Sequence, residues 1–209
     1  MSYYINHINP SVGSVQELIG LRYRSMVCSG VPEQIASKVA DPNNDTHIDR
    51  QYDMFRSDTI RHFGAYSLKN DRLVGYFRAD DWHATDQLPF SQGLVEHAVL
   101  SARAGLADNT LPGLPLGVHE LLIDNCDDGA EEVASMLLDR ITLLADAREI
   151  CTPTRNNQVV LRALGNHGFK STFRRAAFPD GYKLLCQRPP YIFTLADYIE
   201  SKQSQYEYR

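Results

Sequence analysis

Two neighbouring side chains in this sequence, His119 and Glu120, are of types that can move a proton. An imidazole and a carboxylate can each take one from an amine, directly or through water. Both fall in a segment, Gly117 to Ile123, that reads as a strand, where the two-residue period sends adjacent side chains to opposite faces. One of them must therefore face the layer opposite to the other. Just downstream stand four acids, Asp127, Asp128, Glu131 and Glu132, at what reads as a helix start. Acids suit the exposed N–H groups of a helix start, and they compete with any phosphate for those groups. The four cysteines (Cys28, Cys126, Cys151 and Cys186) are widely separated and form no C-x-x-C pair. That argues against a zinc knuckle and against a disulfide framework, so reduced, mostly buried thiols are expected. His47, His62, His83, His97, His119 and His167 show no ligand spacing, and no metal is expected.

The elements that must position these groups follow from turn signals and periodicity. Tyr3 to Ile8 reads as a first strand ended by Asn9-Pro10, and Ser14 as the N-cap of a helix to about Cys28. Val15, Leu18, Ile19, Arg22 and Met26 share one side of that helix. A short helix over Glu33 to Ala40 precedes a polar loop, DPNNDTH, and residues 49–61 give no clear pattern. Phe63 to Leu68 and Leu73 to Ala79 read as a hairpin about Lys69-Asn70-Asp71-Arg72. Leu88 to Gly113 is a proline-bounded insertion, with helical spacing from Gly93 to Leu106. Ala130 to Ala147 is the clearest helix, its apolar residues obeying the i, i+3, i+4, i+7 rule, with Asp128 and Glu131 as a capping box. Glu149 to Thr152 reads as a strand closed by Pro153, Asn157 to Leu164 as a short helix, and Phe169 to Arg175 and Tyr182 to Cys186 as final strands. A terminal helix is expected from Leu195 to about Gln203.

Strands alternating with helices in the second half imply parallel pairing there, with hairpins elsewhere. The chain has 209 residues, 43% hydrophobic and 22% charged, which fits one core rather than two. We therefore expect one domain over 1–209: a strand and helical pair over 1–62, hairpin and insertion over 63–113, a cofactor-binding half over 114–188, and a tail or helix over 189–209. A net charge of −5 with no basic stripe gives no footprint for nucleic acid. The apolar runs are too short for a membrane span, and the first residues have no secretory pattern, so a cytoplasmic protein is expected.

The order of elements, together with Asn157-Gln158-Val159-Val160-Leu161-Arg162-Ala163-Leu164-Gly165-Asn166-His167-Gly168-Phe169, resembles the GNAT superfamily of N-acyltransferases. The resemblance implies an α/β (α+β) three-layer fold, with a mixed central sheet, splayed parallel strands and flanking helices. It also implies acetyl-CoA or another acyl-CoA as donor, a small-molecule amine as acceptor, and no metal. On that pattern Glu120 or His119 is the catalytic base, with Glu120 preferred. Leu122, Ile123, Gly129, Ala130, Val133, Ala134 and Asn157 contact the cofactor, and Arg78 and Trp82 the acceptor. The family's basic position and two glycines before the long helix fall on Gly129, Glu132 and Ala134, and its acidic tyrosine falls on Leu164.

A second resemblance joins Arg22 to Cys28, Asp49-Arg50-Gln51-Tyr52-Asp53, Leu73 to Arg78, and Leu88-Pro89. These are similar to autoinducer synthases and related N-acyl amino acid synthases, which take acyl chains from acyl carrier protein. Gln51 stands where that pattern has an acid, and Ile123 where it has an arginine after Glu120. The expected function is thus acyl-CoA-dependent N-acyl (acetyl) transfer. The alternatives are synthesis of an N-acyl amino acid or homoserine lactone from a carrier protein, and a catalytically silent GNAT-like binding domain. Oligomers are compatible with all three.

Overall fold

In the computed structural model, the structure describes residues 2–9, 11–55, 60–81, 116–146, 148–155, 157–171 and 182–187. Trp82, His83, the insertion over Leu88 to Gly113, the strand expected past Ser171 and the helix expected from Leu195 lie outside the described residues.

The strands are β1 (Tyr3–His7), β2 (Arg61–Ser67), β3 (Leu73–Asp81), β4 (Leu116–Ile123), β5 (Ile150–Arg155), β6 (Lys170–Ser171) and β7 (Tyr182–Gln187). The helices are α1 (Val12–Cys28), α2 (Glu33–Val39), α3 (Asp45–Phe55), α4 (Ala130–Ala145) and α5 (Gln158–Asn166). One seven-stranded sheet runs in the order β1-β2-β3-β4-β5-β7-β6. Among the described residues only the β4–β5 pairing is parallel, and every other neighbour is antiparallel. The sheet is mixed, as expected of an α/β fold.

Each face carries its own core. Against one face, Val133, Leu137, Leu138 and Ile141 of α4 pack on Ala65, Phe77, Leu116, Ile123 and Ile150, with Val160 and Leu164 of α5 beside them. All four α4 residues are at most 1% exposed, and burying each contributes about 1.5–3 kcal/mol. Close approach needs Gly75, because a Cβ there would stand 2.5 Å from Val133 Cγ1. Against the other face, Val15, Leu18, Ile19 and Leu21 of α1 pack with Ile48, Leu73 and Tyr76. The result is three layers.

Local signals account for most boundaries and correct several. The N-cap of α1 is Ser11, while Ser14 sits at N3 and completes a reciprocal box with it. The same helix ends in a Schellman motif, with Gly30 at φ 85° and bonds Val31 N–H to Met26 O (3.0 Å) and Gly30 N–H to Val27 O (2.9 Å). What reads as a polar loop followed by an unpatterned stretch contains α3. Asn44 starts that helix, its Oδ1 accepting from Thr46 N–H at 3.0 Å and His47 N–H at 3.3 Å. At α4 the expected capping box of Asp128 and Glu131 is replaced: Gly129 is the N-cap, and no side chain caps it directly. β5 runs through Pro153 to Arg155 instead of ending there, paired along its length with β7.

Candidate active site

β4 and β5 begin side by side and then part. They pair only at Leu116↔Ile150 and Gly117↔Cys151. Beyond that point β4 continues along β3 as far as Gly75↔Ile123, while β5 continues along β7 as far as Arg155↔Tyr182. Among the described residues, Val118 to Ile123 have no β5 partner, so one edge of their backbone is left to line a slot. Pro153 lies past the parting, where strand edges tolerate a residue with no N–H.

At the mouth of this slot β4 carries a bulge. Arg78 pairs with Glu120 and Ala79 with Val118, leaving His119 as the extra residue. Val118 and Leu121 belong to the core on the α4 side. Glu120 instead meets Arg78, and His119 meets Asp80, and Arg78 and Asp80 lie two residues apart on one face of β3. The expectation of opposite faces for His119 and Glu120 is thereby corrected, because a bulge interrupts the period on which it rested. His119 Nε2 and Asp80 Oδ1 make a close pair, with side chains 3% and 0% exposed.

Glu120 is gripped from two elements, with a third steadying one of its partners. Arg22 of α1 donates from Nε to Oε1 at 2.9 Å and from Nη2 to Oε2 at 2.6 Å, a bidentate fork. Arg78 Nε lies 3.6 Å from Oε2. Gln51 of α3, only 2% exposed, accepts from Arg22 Nη1 through its amide oxygen. Burial is the largest single influence on Glu120 and would raise its carboxyl. The charges of Arg22 and then Arg78, the Arg22 hydrogen bonds and His62 outweigh it and hold the carboxyl below its ordinary range. A proton on Glu120 would cancel the carboxylate that both arginines share. Beneath the cluster, His62 Nδ1 lies 2.8 Å from the Tyr76 hydroxyl, with the rings stacked. Burial and then the charge of Arg78 push His62 down to about 3.

The segment between β4 and α4 is fastened largely from other elements, through its acids Asp124 and Asp127. Asp124 accepts from Arg24 Nε at 2.8 Å, and Arg72 Nη2 lies 3.5 Å from Asp127. Asp127 Oδ1 accepts from Gly129 N–H at 3.0 Å and from the Tyr3 hydroxyl. That bond, with burial and the Asp127 charge, raises Tyr3 to about 12. Tyr3 also fills the space over Gly129, where an added Cβ would meet its hydroxyl at 2.1 Å. Ala130, Val133 and Ala134 are buried in the α4-side core, as is Ile123, while Leu122 packs toward α1. Asn157 caps α5, its Oδ1 accepting from Val159 and Val160 N–H at 3.1 and 3.2 Å, and its Nδ2 donates to Asn125 Oδ1 at 3.1 Å.

A disulfide joins Cys28 to Cys126, with Cα atoms 5.8 Å apart, and corrects the expectation of reduced thiols for that pair. A separation of 98 residues hides this bond from spacing arguments, since the fold alone brings the end of α1 to the β4–α4 loop. Cys151 and Cys186 are buried thiols, opposite one another on β5 and β7 with Sγ atoms 3.0 Å apart.

The structure therefore brings Arg78, His119 and Glu120 together on one face, and sets Gly129 to Ala134 and Asn157 at the far end of β4. Asp80 and His62 join the first group without having been singled out. Their signal was available: His62 on β2, and Tyr76, Arg78 and Asp80 at alternate positions of β3, place a polar row in the middle of apolar strands.

No protein-family profile matches the sequence, and no curated protein matches it. Solved structures do. Aminoglycoside acetyltransferase AAC(6')-Ib, in complex with ribostamycin and coenzyme A, superposes with a TM-score of 0.58 at 15% identity, covering 90% of this chain and 94% of that one. Aminoglycoside 6'-acetyltransferase type Ii superposes with a TM-score of 0.52 at 10% identity, covering 88% and 96%. An acetyltransferase from Thermus thermophilus gives 0.50 at 13% identity, covering 90% and 97%. With its parted β4 and β5 between two helical layers, the chain has the fold of the GNAT acetyltransferases.

Proposed function

We propose that the protein transfers an acyl group from a coenzyme A thioester to a small-molecule amine. The observation that carries this reading is the slot past Gly117↔Cys151, whose open β4 backbone runs beside the cluster of His119, Glu120, Arg22 and Arg78. The pantetheine arm would pair with β4 about Leu122 and Ile123, much as a β-strand adds to a sheet edge. The pyrophosphate would sit at the start of α4, about Gly129, Ala130, Val133 and Ala134, with Asn157 beyond. Asp127 already holds two N–H groups of that start, Gly129 through Oδ1 and Ala130 through its carbonyl, so the phosphate grip is weaker than a bare helix N-terminus offers. Arg78 and Trp82 belong to the acceptor side. The coenzyme A bound in the neighbouring acetyltransferase of aminoglycosides supports this reading. Calorimetric titration with acetyl-CoA tests it, and no heat of binding up to millimolar cofactor sinks it.

A second reading is favoured by one specific observation. Arg22, Gln51, Arg78 and Glu120 come from four separate segments and form one partly buried network, and three of those segments carry the similarity to N-acyl amino acid synthases. In that reading the donor is a long chain on acyl carrier protein, and the amide of Gln51 takes the hydrogen bond of the missing acid. Transfer from long-chain acyl carrier protein and none from acetyl-CoA would select it over the first.

A further inference from the structure

We propose that the Cys28–Cys126 bond is a thiol–disulfide exchange site for a small dithiol, and that its closed state keeps the start of α4 in shape for the phosphates of the cofactor. The second half of this assignment rests on the acyl-CoA reading above. Three observations converge. First, the bond is within reach. Cys126 is exposed and Cys28 half-buried, and Cys126 forms part of the wall of an open cavity of about 610 Å³, with Lys69, Asn70, Arg72, Asp127 and Asp128. That charged wall suits a hydrophilic reductant. Second, Cys126 is followed directly by Asp127, whose Oδ1 accepts from Gly129 N–H and whose carbonyl accepts from Ala130 N–H, both at 3.0 Å. A shift of Cys126 therefore moves the donors at the start of α4. Third, Asn125, the residue before it, carries the tie onward. Its Nδ2 donates to Ser29 Oγ at 3.1 Å, and its Oδ1 accepts from Asn157 Nδ2 at 3.1 Å. The end of α1, the loop after β4 and the start of α5 are thus bound in one row.

The chemistry is balanced as follows. A thiolate of the dithiol attacks Cys126 Sγ, and a new sulfur–sulfur bond forms as the bond to Cys28 breaks. Cys28 leaves as a thiolate and takes a proton from solvent. The second sulfur of the dithiol, its own proton lost to solvent, then displaces Cys126, which is protonated in turn. The reductant departs as a cyclic disulfide, and two electrons and two protons have passed to the protein. A small-molecule disulfide runs the sequence backwards. With the bond open, Arg24 on Asp124 and Tyr3 on Asp127 still tether the loop, so the fold persists while Cys126 and Asn125 gain freedom. A phosphate arriving at α4 must then order that loop, which weakens its binding.

The test uses the full chain in two states: oxidised, and reduced with dithiothreitol that is then removed under nitrogen. Maleimide labelling of the folded protein, read by mass spectrometry, is expected to find Cys28 and Cys126 reactive only after reduction. Hydrogen exchange is expected to quicken from Asp124 to Ala130 in the reduced state. Calorimetry with acetyl-CoA is expected to give about three- to tenfold weaker binding to the reduced state. Cys28→Ser and Cys126→Ser are expected to bind like the reduced protein and to ignore dithiothreitol, with a thermal melt showing that each is folded. A Cys28–Cys126 bond that withstands dithiothreitol in the folded wild type, or amide exchange from Asp124 to Ala130 that is the same in both states, overturns the inference. Equal or tighter acetyl-CoA binding on reduction, or a dithiothreitol effect that persists in Cys126→Ser, overturns the link to the phosphates. No heat with either state overturns the acyl-CoA reading itself, and labelling with hydrogen exchange then decides the dithiol site alone.

Discussion

The two ends of β4 are built on opposite plans. At its bulged middle, side chains from α1, α3, β3 and β4 converge on one another across the layer, and none of them is a neighbour in sequence. At its far end, Asp127 of the loop into α4 bonds a backbone two residues away, and Arg24, Arg72, Tyr3 and a disulfide hold the loop from outside. The first plan concentrates charge where it is partly withdrawn from solvent. The second uses the charge of the loop to keep its own shape. The difference teaches how this chain places its arginines: Arg22 and Arg78 meet one carboxylate across the layer, while Arg24 and Arg72 meet the acids of the loop.

The strongest way to break this contrast is to remove the crosslink of the second plan. Cys126→Ser removes a bond that spans a separation of 98 residues and is expected to cost about 2–4 kcal/mol, measured by urea unfolding without reductant. Next comes the centre of the first plan. Glu120→Ala leaves Arg22 and Arg78 without their shared anion, and for a partly buried pair the loss is expected at about 2–3 kcal/mol, below that of a fully buried one. Urea unfolding should read that loss, and a change below about 1 kcal/mol would mean the arginines are satisfied elsewhere.

The third prediction concerns acid. His62 is held neutral in the folded state, at about 3, against an ordinary value near 6.5. A depressed folded value contributes stability that is present above the unfolded value and is lost as pH falls through the folded one. Stability should therefore decline from about pH 6.5 toward pH 3, by an amount on the order of a few kcal/mol. His62→Gln should flatten that decline in a series of pH-dependent melts, and an unchanged slope would assign it to other groups. The smallest effect sharpens the contrast at the loop. Asp127→Asn keeps an acceptor for Gly129 and removes the negative charge, so acetyl-CoA should bind tighter by roughly 0.3–1 kcal/mol, about two- to fivefold.

What the sequence discloses follows the same division. Elements with their own capping chemistry are legible. α5 is the best case: Asn157 caps its start, and Gly168 at φ 79° closes a Schellman motif, with Phe169 N–H on Leu164 O and Gly168 N–H on Gly165 O, both at 3.0 Å. The regular apolar stripe of α4 is equally plain, because period alone specifies it. The bulge is not legible, since an inserted residue leaves no mark on composition, yet it decides which way His119 faces. Nor is α3, whose polar sequence is helical because Asn44 starts it and α1 receives Ile48. The pairing of Arg22 with Glu120 spans 98 residues, and only the fold brings such partners together.

The bond between Cys28 and Cys126 also makes a topological statement. It closes a covalent ring that contains α2, α3, β2, β3 and β4. A single proteolytic cut anywhere within that ring leaves both fragments in one molecule. The nicked protein should run as an intact chain on a denaturing gel until reductant is added, and only then divide in two.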